Sequence, residues 1–157
     1  MIKELDIRDR TISEEVLELQ VASYKIEAEI INYLELPPLK ETIDILEQCG
    51  ETFYGYFYND RLCGVLSIKE VNEVVDIHRL FVHPDYFGRG IAQKLFIFLE
   101  EKYLGITIKT ATASKNIPAV KFYKKNGFKV TKEIIVNERL TLMEFEKTRS
   151  EVKKGHF

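Results

Sequence analysis

The segment FGRGIA, residues 87–92, joins a β-branched stretch to a stretch with helical spacing. Gly88 and Gly90 allow the backbone to come close to a ligand at the point where a helix begins. Unpaired N–H groups and the positive end of the helix dipole stabilise an anion there, most often a phosphate. Arg89 would add charge at the rim, and Ala92 keeps the side-chain bulk small. A tight turn before a helix explains the same glycines equally well, because short glycine patterns are weak signals.

The histidines and cysteines predict no metal site. Cys49 and Cys63 form no CxxC pair and are expected to be free structural thiols. His78 and His83 lie five residues apart on one predicted strand and its end, so they are expected to point to opposite faces. The third histidine, His156, lies in the polar tail.

Composition predicts an ordinary globular domain. The chain has 157 residues, of which 45% are hydrophobic and 31% charged, enough for one substantial core. A net charge of −2 gives no reason to expect nucleic acid or an anionic membrane as a partner. No apolar run approaches the roughly 20 residues of a membrane-spanning helix. The charged start MIKELDIRDR lacks a signal-peptide core, so we expect a cytoplasmic protein.

Periodicity and turn signals predict the order β-α-α-β-β-β-α-β-α-β-β. The first helix is expected over 14–31, capped by Thr11 or Ser13, with Glu14 and Glu15 in its first turn. The other elements are a strand at 2–8, a helix at 39–49, a hairpin at 52–71, a strand at 74–82, a helix from 92 to 103, a strand at 106–113, a helix at 118–126 capped by Asn116, and strands at 128–136 and 139–147.

The central strand–helix–strand unit demands a parallel pair, whereas the flanking hairpins are antiparallel. The sequence therefore predicts an α/β fold with a mixed, mostly antiparallel sheet and helices on both faces. A single domain is expected over residues 1–147, followed by a polar tail at 148–157.

Two sequence blocks resemble the GNAT family of N-acetyltransferases. LFVHPDYFGRGIAQKL looks like the family's acetyl-coenzyme A binding motif [QR]xxGx[GA]: Gly90 and Ala92 match, and Phe87 departs from the usual Gln or Arg. ASKNIPAVKFYKKNGFK is similar to the family's NxxAxxFYxxxGF, with matches at Asn116, Ala119, Phe122, Tyr123, Gly127 and Phe128. The resemblance extends over nearly the whole chain.

The resemblance implies that the central parallel strands splay apart and that acetyl-coenzyme A enters the wedge between them. Its pyrophosphate would lie on the amides of residues 88–93, and its pantetheine arm would pair with the strand before them, like an added strand. Asn116 would meet the pantetheine or its neighbouring backbone. The expected cofactor-binding residues are Leu80, Phe81, Val82, Phe87, Gly88, Arg89, Gly90, Ile91, Ala92, Gln93 and Asn116.

The same resemblance suggests residues for catalysis. Tyr123 would protonate the departing thiolate as a general acid, although a core tyrosine is the plain alternative. An amine with a pKa near 10.4 is protonated at pH 7, so a base must take its proton. Asp76 stands where family members often carry Glu, and His78 is a competing base. By alternation Asp76, His78 and Leu80 are expected to share one face.

The implied activity is transfer of an acetyl group from acetyl-coenzyme A to a primary amine by direct attack in a ternary complex. The acceptor would be a small amine or a peptide amino group, in a pocket built from the first two helices, their loop and the last hairpin. That pocket would include Tyr24, Tyr33, Glu35, Pro37, Pro38 and the turn at Asn137. The fold also allows a homodimer through the terminal strands. The alternative is a coenzyme A-binding sensor or regulatory module without productive catalysis.

Overall fold

The computed structural model describes residues 1–148, which form one sheet with helices on both sides. In chain order the elements are β1 (Ile2–Leu5), α1 (Arg10–Ile31), a 3₁₀ turn (Pro37–Leu39), α2 (Ile43–Gln48), β2 (Thr52–Tyr58), β3 (Arg61–Val71), β4 (Val74–Val82), a 3₁₀ turn (Pro84–Tyr86), α3 (Ile91–Lys102), β5 (Thr107–Ala113), α4 (Ile117–Lys125), β6 (Lys129–Asn137) and β7 (Leu140–Lys147).

The sheet has the strand order β1-β2-β3-β4-β5-β7-β6, and all its pairs except β4–β5 are antiparallel. The parallel pair holds together only at its start, where residues 74–76 of β4 face residues 107–109 of β5. Beyond that point the two strands continue to Val82 and Ala113 without pairing to each other. This confirms the predicted mixed sheet with a splayed central pair.

Helices cover both faces of the sheet, as predicted. On one face α1 and α2 bury apolar residues against β2, β3 and β4; this cluster includes Val16, Leu19, Leu46, Phe53, Val65 and Phe81. On the other face α3 and α4 bury a larger cluster, including Leu95, Phe96, Leu99, Val120, Ile68, Val75 and Ile77. Burial of each such side chain contributes roughly 1.5–3 kcal/mol.

A β-bulge interrupts β4 at His78. Ser67 of β3 faces Arg79, but the next residue of β3, Ile68, faces Ile77, so His78 is the extra residue. A bulge bends a strand and changes the direction in which its side chains point.

The bulge makes one expectation wrong. Leu80 packs with Ile77 in the apolar cluster on the sheet face that α3 and α4 cover. His78 and Arg79 both approach Glu51, on the other face of the sheet. Asp76 and His78 therefore share a face, but Leu80 does not lie on it. Simple alternation fails here because one strand carries an additional residue.

Two helix boundaries also differ from the prediction. Asp9, not Thr11 or Ser13, caps α1: its carboxylate accepts a 2.9 Å hydrogen bond from the Thr11 N–H. The helix thus begins at Arg10, so the two glutamates expected in its first turn lie beyond that turn. The second helix is shorter than predicted, because a 3₁₀ turn at Pro37–Leu39 precedes α2 and Thr42 caps α2.

A buried arginine fastens the bulge to α1 and to the segment that follows it. The side chain of Arg79 is 8% exposed and donates hydrogen bonds to Glu51 (2.9 Å), Gln20 (2.9 Å) and Glu41. Gln20 also donates to the Pro38 carbonyl at 2.9 Å. Burial alone would raise the pKa of Glu51, but hydrogen bonds from Arg79 and Ser67 and the charge of Arg79 lower it.

We expect Arg79→Met to destabilise the fold by about 3–5 kcal/mol, because it leaves two carboxylates in buried or half-buried positions without their cation. Equilibrium urea unfolding followed by circular dichroism would measure the change. Arg61→Met, at an exposed position at the start of β3, is the control and should leave the midpoint unchanged. Equal midpoints for the two variants would contradict the structural role of Arg79.

Candidate active site

A cavity of about 650 Å³ runs from the glycine segment along residues 80–82, where β4 has parted from β5, to α1 and α4. Most of the expected cofactor-binding residues line it: Leu80, Phe81, Val82, Phe87, Gly88, Gly90, Ile91, Ala92, Gln93 and Asn116. Arg89 lies apart from this set, and its guanidinium stacks over the rings of Tyr86 (5.0 Å) and Tyr58 (5.9 Å). The structure thus brings together two segments that are separated in the sequence.

The glycine segment leaves the start of α3 uncovered. Gly88 and Gly90 have φ values of 78° and 76°, in the left-handed region that favours glycine. A Cβ atom at either position would meet no other atom within 4 Å, so their surroundings are open. Gly90 caps α3 without a side chain, and the first N–H groups of a helix have no intrahelical acceptor. An anion fits this end of the cavity.

The side chain of Gln93 is held away from those amides. It exchanges hydrogen bonds with Asn126 at 2.7 and 3.1 Å, linking α3 to the end of α4. This link fixes the two helices that flank the cavity relative to each other.

A second cavity, of about 330 Å³, lies on the other side of the wedge. Of the residues expected in an acceptor pocket, Tyr24, Pro37 and Pro38 line it. Tyr33 and Glu35 have other partners, since the Tyr33 hydroxyl accepts a hydrogen bond from Asn137 and Glu35 pairs with Lys40. The residues that line both cavities are Tyr24, Glu27, Leu80, Asn116, Ala119 and Tyr123.

Tyr123 lies where the two cavities meet. It is 6% exposed, and its ring packs against Phe128 and Phe145 at centroid distances of 5.3 and 5.5 Å. Burial raises the pKa of its phenol to about 12, opposed by a hydrogen bond with Thr110 and reinforced by the charge of Glu27. Tyr123 is therefore both a core residue and a protonated phenol at the junction.

The two candidate bases have different positions. His78 lines the second cavity, with Nδ1 at 3.4 Å from Glu51 and Nε2 at 3.8 Å from Asp76. Asp76 lies outside both cavities, and its side chain is 53% exposed. Burial raises the pKa of Asp76, while the charges of His78 and Lys109 act in the opposite direction.

Asn116 connects α4 to α1. Its side chain accepts a 3.3 Å hydrogen bond from the Ala119 N–H, which confirms the predicted cap. Asn116 also faces Glu27 of α1: burial raises the pKa of that carboxylate, and hydrogen bonding from the Asn116 side chain acts against this rise. Asn116 and Glu27 thus stand together at the boundary between the cavities.

Glu27 is the polar residue of the site that the sequence analysis missed. It follows Tyr24 by three residues on α1, on the same side as the buried Gln20 and Ile31. A carboxylate on the inward stripe of a helix is unusual, because buried carboxylates are rare unless they have partners. That pattern is the signal in the sequence that points to this position.

Within residues 1–148, no group of three or more His, Cys, Asp or Glu side chains is arranged to hold a metal ion. Cys49 and Cys63 are both free thiols, as predicted. In the same part of the chain no helix combines the length and apolar character needed to cross a membrane.

Residues 12–149 match the family model described as Acetyltransferase (GNAT) domain. The chain is 34% identical over 146 residues to UPF0157 protein YqkA of Bacillus subtilis. This match covers 92% of this chain and 43% of the relative. It is 28% identical over 121 residues to the spermidine N(1)-acetyltransferase of Thermoplasma acidophilum, covering 75% of this chain and 70% of the relative. The chain thus spans less than half the length of the Bacillus relative.

A solved structure has the same fold. The PaiA N-acetyltransferase of Thermoplasma acidophilum, crystallised in complex with coenzyme A, superposes with a TM-score of 0.74. The match covers 94% of this chain and 98% of that one, at 23% sequence identity. At this identity the likeness concerns the fold alone.

We expect the Tyr123 phenol to remain protonated well above neutral pH, because burial disfavours the phenolate. NMR spectra of protein labelled with ¹³C at tyrosine Cζ would follow it, with Tyr123→Phe identifying its resonance. The resonance should stay at its protonated position through pH ~10, the ordinary tyrosine pKa. A titration midpoint at that ordinary value would contradict the described environment.

Proposed function

Because the chain belongs to the GNAT acetyltransferase family, we propose that it is an N-acetyltransferase that moves the acetyl group of acetyl-coenzyme A to a primary amine. One observation carries this proposal: a single cavity joins the uncovered start of α3, the unpaired part of β4 and the phenol of Tyr123. The Thermoplasma PaiA structure, which holds coenzyme A, supports the choice of co-substrate.

The residues of the cavity suit the parts of coenzyme A. The N–H groups of residues 88–93 would receive the pyrophosphate at the positive end of α3. The backbone of Leu80, Phe81 and Val82 belongs to the part of β4 that has no partner in β5, so it would pair with the pantetheine arm as with an added strand. A backbone amide of this strand would polarise the thioester carbonyl, in the manner of an oxyanion hole.

Tyr123 would act as the general acid. Its phenol lies at the junction of the cavities, where a thioester seated in the wedge meets an amine in the second cavity. Its raised pKa keeps the proton in place until a basic thiolate forms. Of the two candidate bases from the sequence, only His78 lines the second cavity, and Asp76, whose Oδ2 lies 3.8 Å from His78 Nε2, would act on the amine only through His78 or water.

The acceptor is a primary amine, carried by a small molecule or a peptide. The name of the Thermoplasma relative supports an amine acceptor, since that protein acts on spermidine. A volume of about 330 Å³ admits a small molecule or a single side chain.

We expect Ala92→Glu to weaken binding of acetyl-coenzyme A about tenfold or more, because it places a negative charge beside the pyrophosphate site. Isothermal titration calorimetry would measure the affinity. Ile97→Glu adds the same charge at an exposed position of α3 outside both cavities and serves as the control. Equal affinities for the two variants would place the pyrophosphate elsewhere, and no binding by the wild type would contradict the proposal itself.

We expect Tyr123→Phe to lower turnover on the order of 10²-fold while the affinity for acetyl-coenzyme A stays nearly intact, because only the proton donor is lost. Release of free thiol in the presence of an amine panel would report turnover. Tyr58→Phe, at a half-exposed position outside both cavities, is the matched control. Unchanged turnover would remove Tyr123 from the mechanism, and binding without turnover by the wild type would favour the sensor over the enzyme.

A further inference from the structure

Glu27 lies at the boundary between the cavity of about 650 Å³ proposed for acetyl-coenzyme A, the cofactor cavity, and the second cavity of about 330 Å³ proposed for the amine, the acceptor cavity. It belongs to both linings, together with Tyr123, whose phenol feels its charge. Its polar partner among the described residues is the neutral amide of Asn116, not a cation. A carboxylate held in a half-buried position without a counter-ion favours a cationic group arriving from a ligand.

The other charged groups of the acceptor cavity are already occupied. The Arg79 guanidinium is bound by Glu41 and Glu51. His78 approaches Glu51 and Asp76. Glu27 is therefore the carboxylate of the cavity lining that is available to an amine.

Most of the remaining lining is apolar. It comprises Leu36, Pro37, Pro38, Ile77, Leu80, Ala111, Ala113, Ala119, Val136, Leu140 and Leu142. Besides Tyr123, the uncharged polar side chains of the lining are the hydroxyl-bearing Tyr24, Thr110 and Thr112 and the amide of Asn116. A second ammonium group placed on these walls would lose its hydration without a partner charge.

We propose that the acceptor is a primary monoamine with an apolar body, and that its ammonium group binds to Glu27 and gives its proton to that carboxylate. This rests on the proposed acetyl transfer and identifies the class of acceptor. Glu27 is then a catalytic residue that touches the substrate, and the apolar walls exclude polyamines.

The proton transfers balance. Glu27 takes one proton from the ammonium and leaves a neutral amine, whose lone pair attacks the thioester carbonyl carbon. The new C–N bond forms as the C–S bond breaks, and the sulfur leaves with the electron pair and takes the Tyr123 proton. The nitrogen loses a second proton, which restores Tyr123, and the proton on Glu27 passes to solvent.

Burial raises the pKa of Glu27, and the Asn116 hydrogen bond acts in the opposite direction. A raised pKa makes the carboxylate a stronger base, but the residue works only when deprotonated. Activity at low pH should therefore fall as the pH drops through this raised pKa. The titratable or charged groups that face the same cavities are Tyr24 on α1, His78 and Arg79 on β4, Tyr86 in the 3₁₀ turn after β4, and Tyr123 and Lys125 on α4.

The experiment compares Glu27→Gln with Glu29→Gln, an exposed position on the same helix. Thiol release with phenethylamine and with spermidine gives kcat/KM across pH, and calorimetry gives the affinity of phenethylamine for the protein saturated with coenzyme A. We expect the wild type to favour phenethylamine roughly tenfold or more. Glu27→Gln should lower kcat/KM on the order of 10²-fold, weaken amine binding and remove the acidic limb.

Glu29→Gln should behave as the wild type, and both variants should bind acetyl-coenzyme A with unchanged affinity, which shows that the wedge is intact. The inference would be overturned if the wild type had a kcat/KM for spermidine equal to or above that for phenethylamine. It would also be overturned if Glu27→Gln left kcat/KM and its acidic limb unchanged. Loss of the acidic limb in His78→Ala but not in Glu27→Gln would assign the base to His78 instead. Failure of the wild type to bind acetyl-coenzyme A would overturn the proposed acetyl transfer, and this inference with it.

Discussion

The early end of hydrogen bonding between β4 and β5 is the constraint on which the site depends. Three residue pairs hold the parallel strands together, and beyond Asp76 the strands diverge. Backbone N–H and C=O groups inside a domain are costly to leave without partners. The Thr110 hydroxyl reaches the Ile77 carbonyl at 3.4 Å just past the last pair, and the remaining edge of β4 opens into the cavity. A ligand that supplies backbone-like hydrogen bonds suits this edge.

The bulge at His78 and the Arg79 network tie β4 to α1 and to the chain around α2. With one extra residue in β4, Arg79 points towards Gln20 of α1 and towards Glu41, which precedes α2. Gln20 also donates to the Pro38 carbonyl, so the segment that lines the second cavity is tied to β4, which lines both cavities. Folding stability and the shape of the site thus rest on the same buried charges.

Local signals in the sequence were enough for the element order, the parallel centre, the glycine segment and the Asn116 cap, because each depends on spacing or on residues a few positions apart. The bulge depends on the register between β3 and β4, which periodicity does not encode. The cap of α1 was misplaced because Thr11 and Ser13 are typical caps, whereas the chain enters the helix one turn earlier through Asp9. The sequence did not predict Glu27, because its position in the site depends on the approach of α1 to Asn116 at the start of α4, about 90 residues later in the chain.

Burial acts on the two groups at the junction in complementary ways. It disfavours the charged form of each, so it raises the pKa of the Tyr123 phenol and of the Glu27 carboxylate alike. In the proposed reaction this would secure the proton that a leaving thiolate needs from the phenol. The same shift would make the carboxylate a stronger base towards an ammonium group. The two groups lie on different helices, so one apolar junction would serve both the proton donor and the proton acceptor. Two bound ligands that fill the cavities would exclude water and strengthen both pKa shifts.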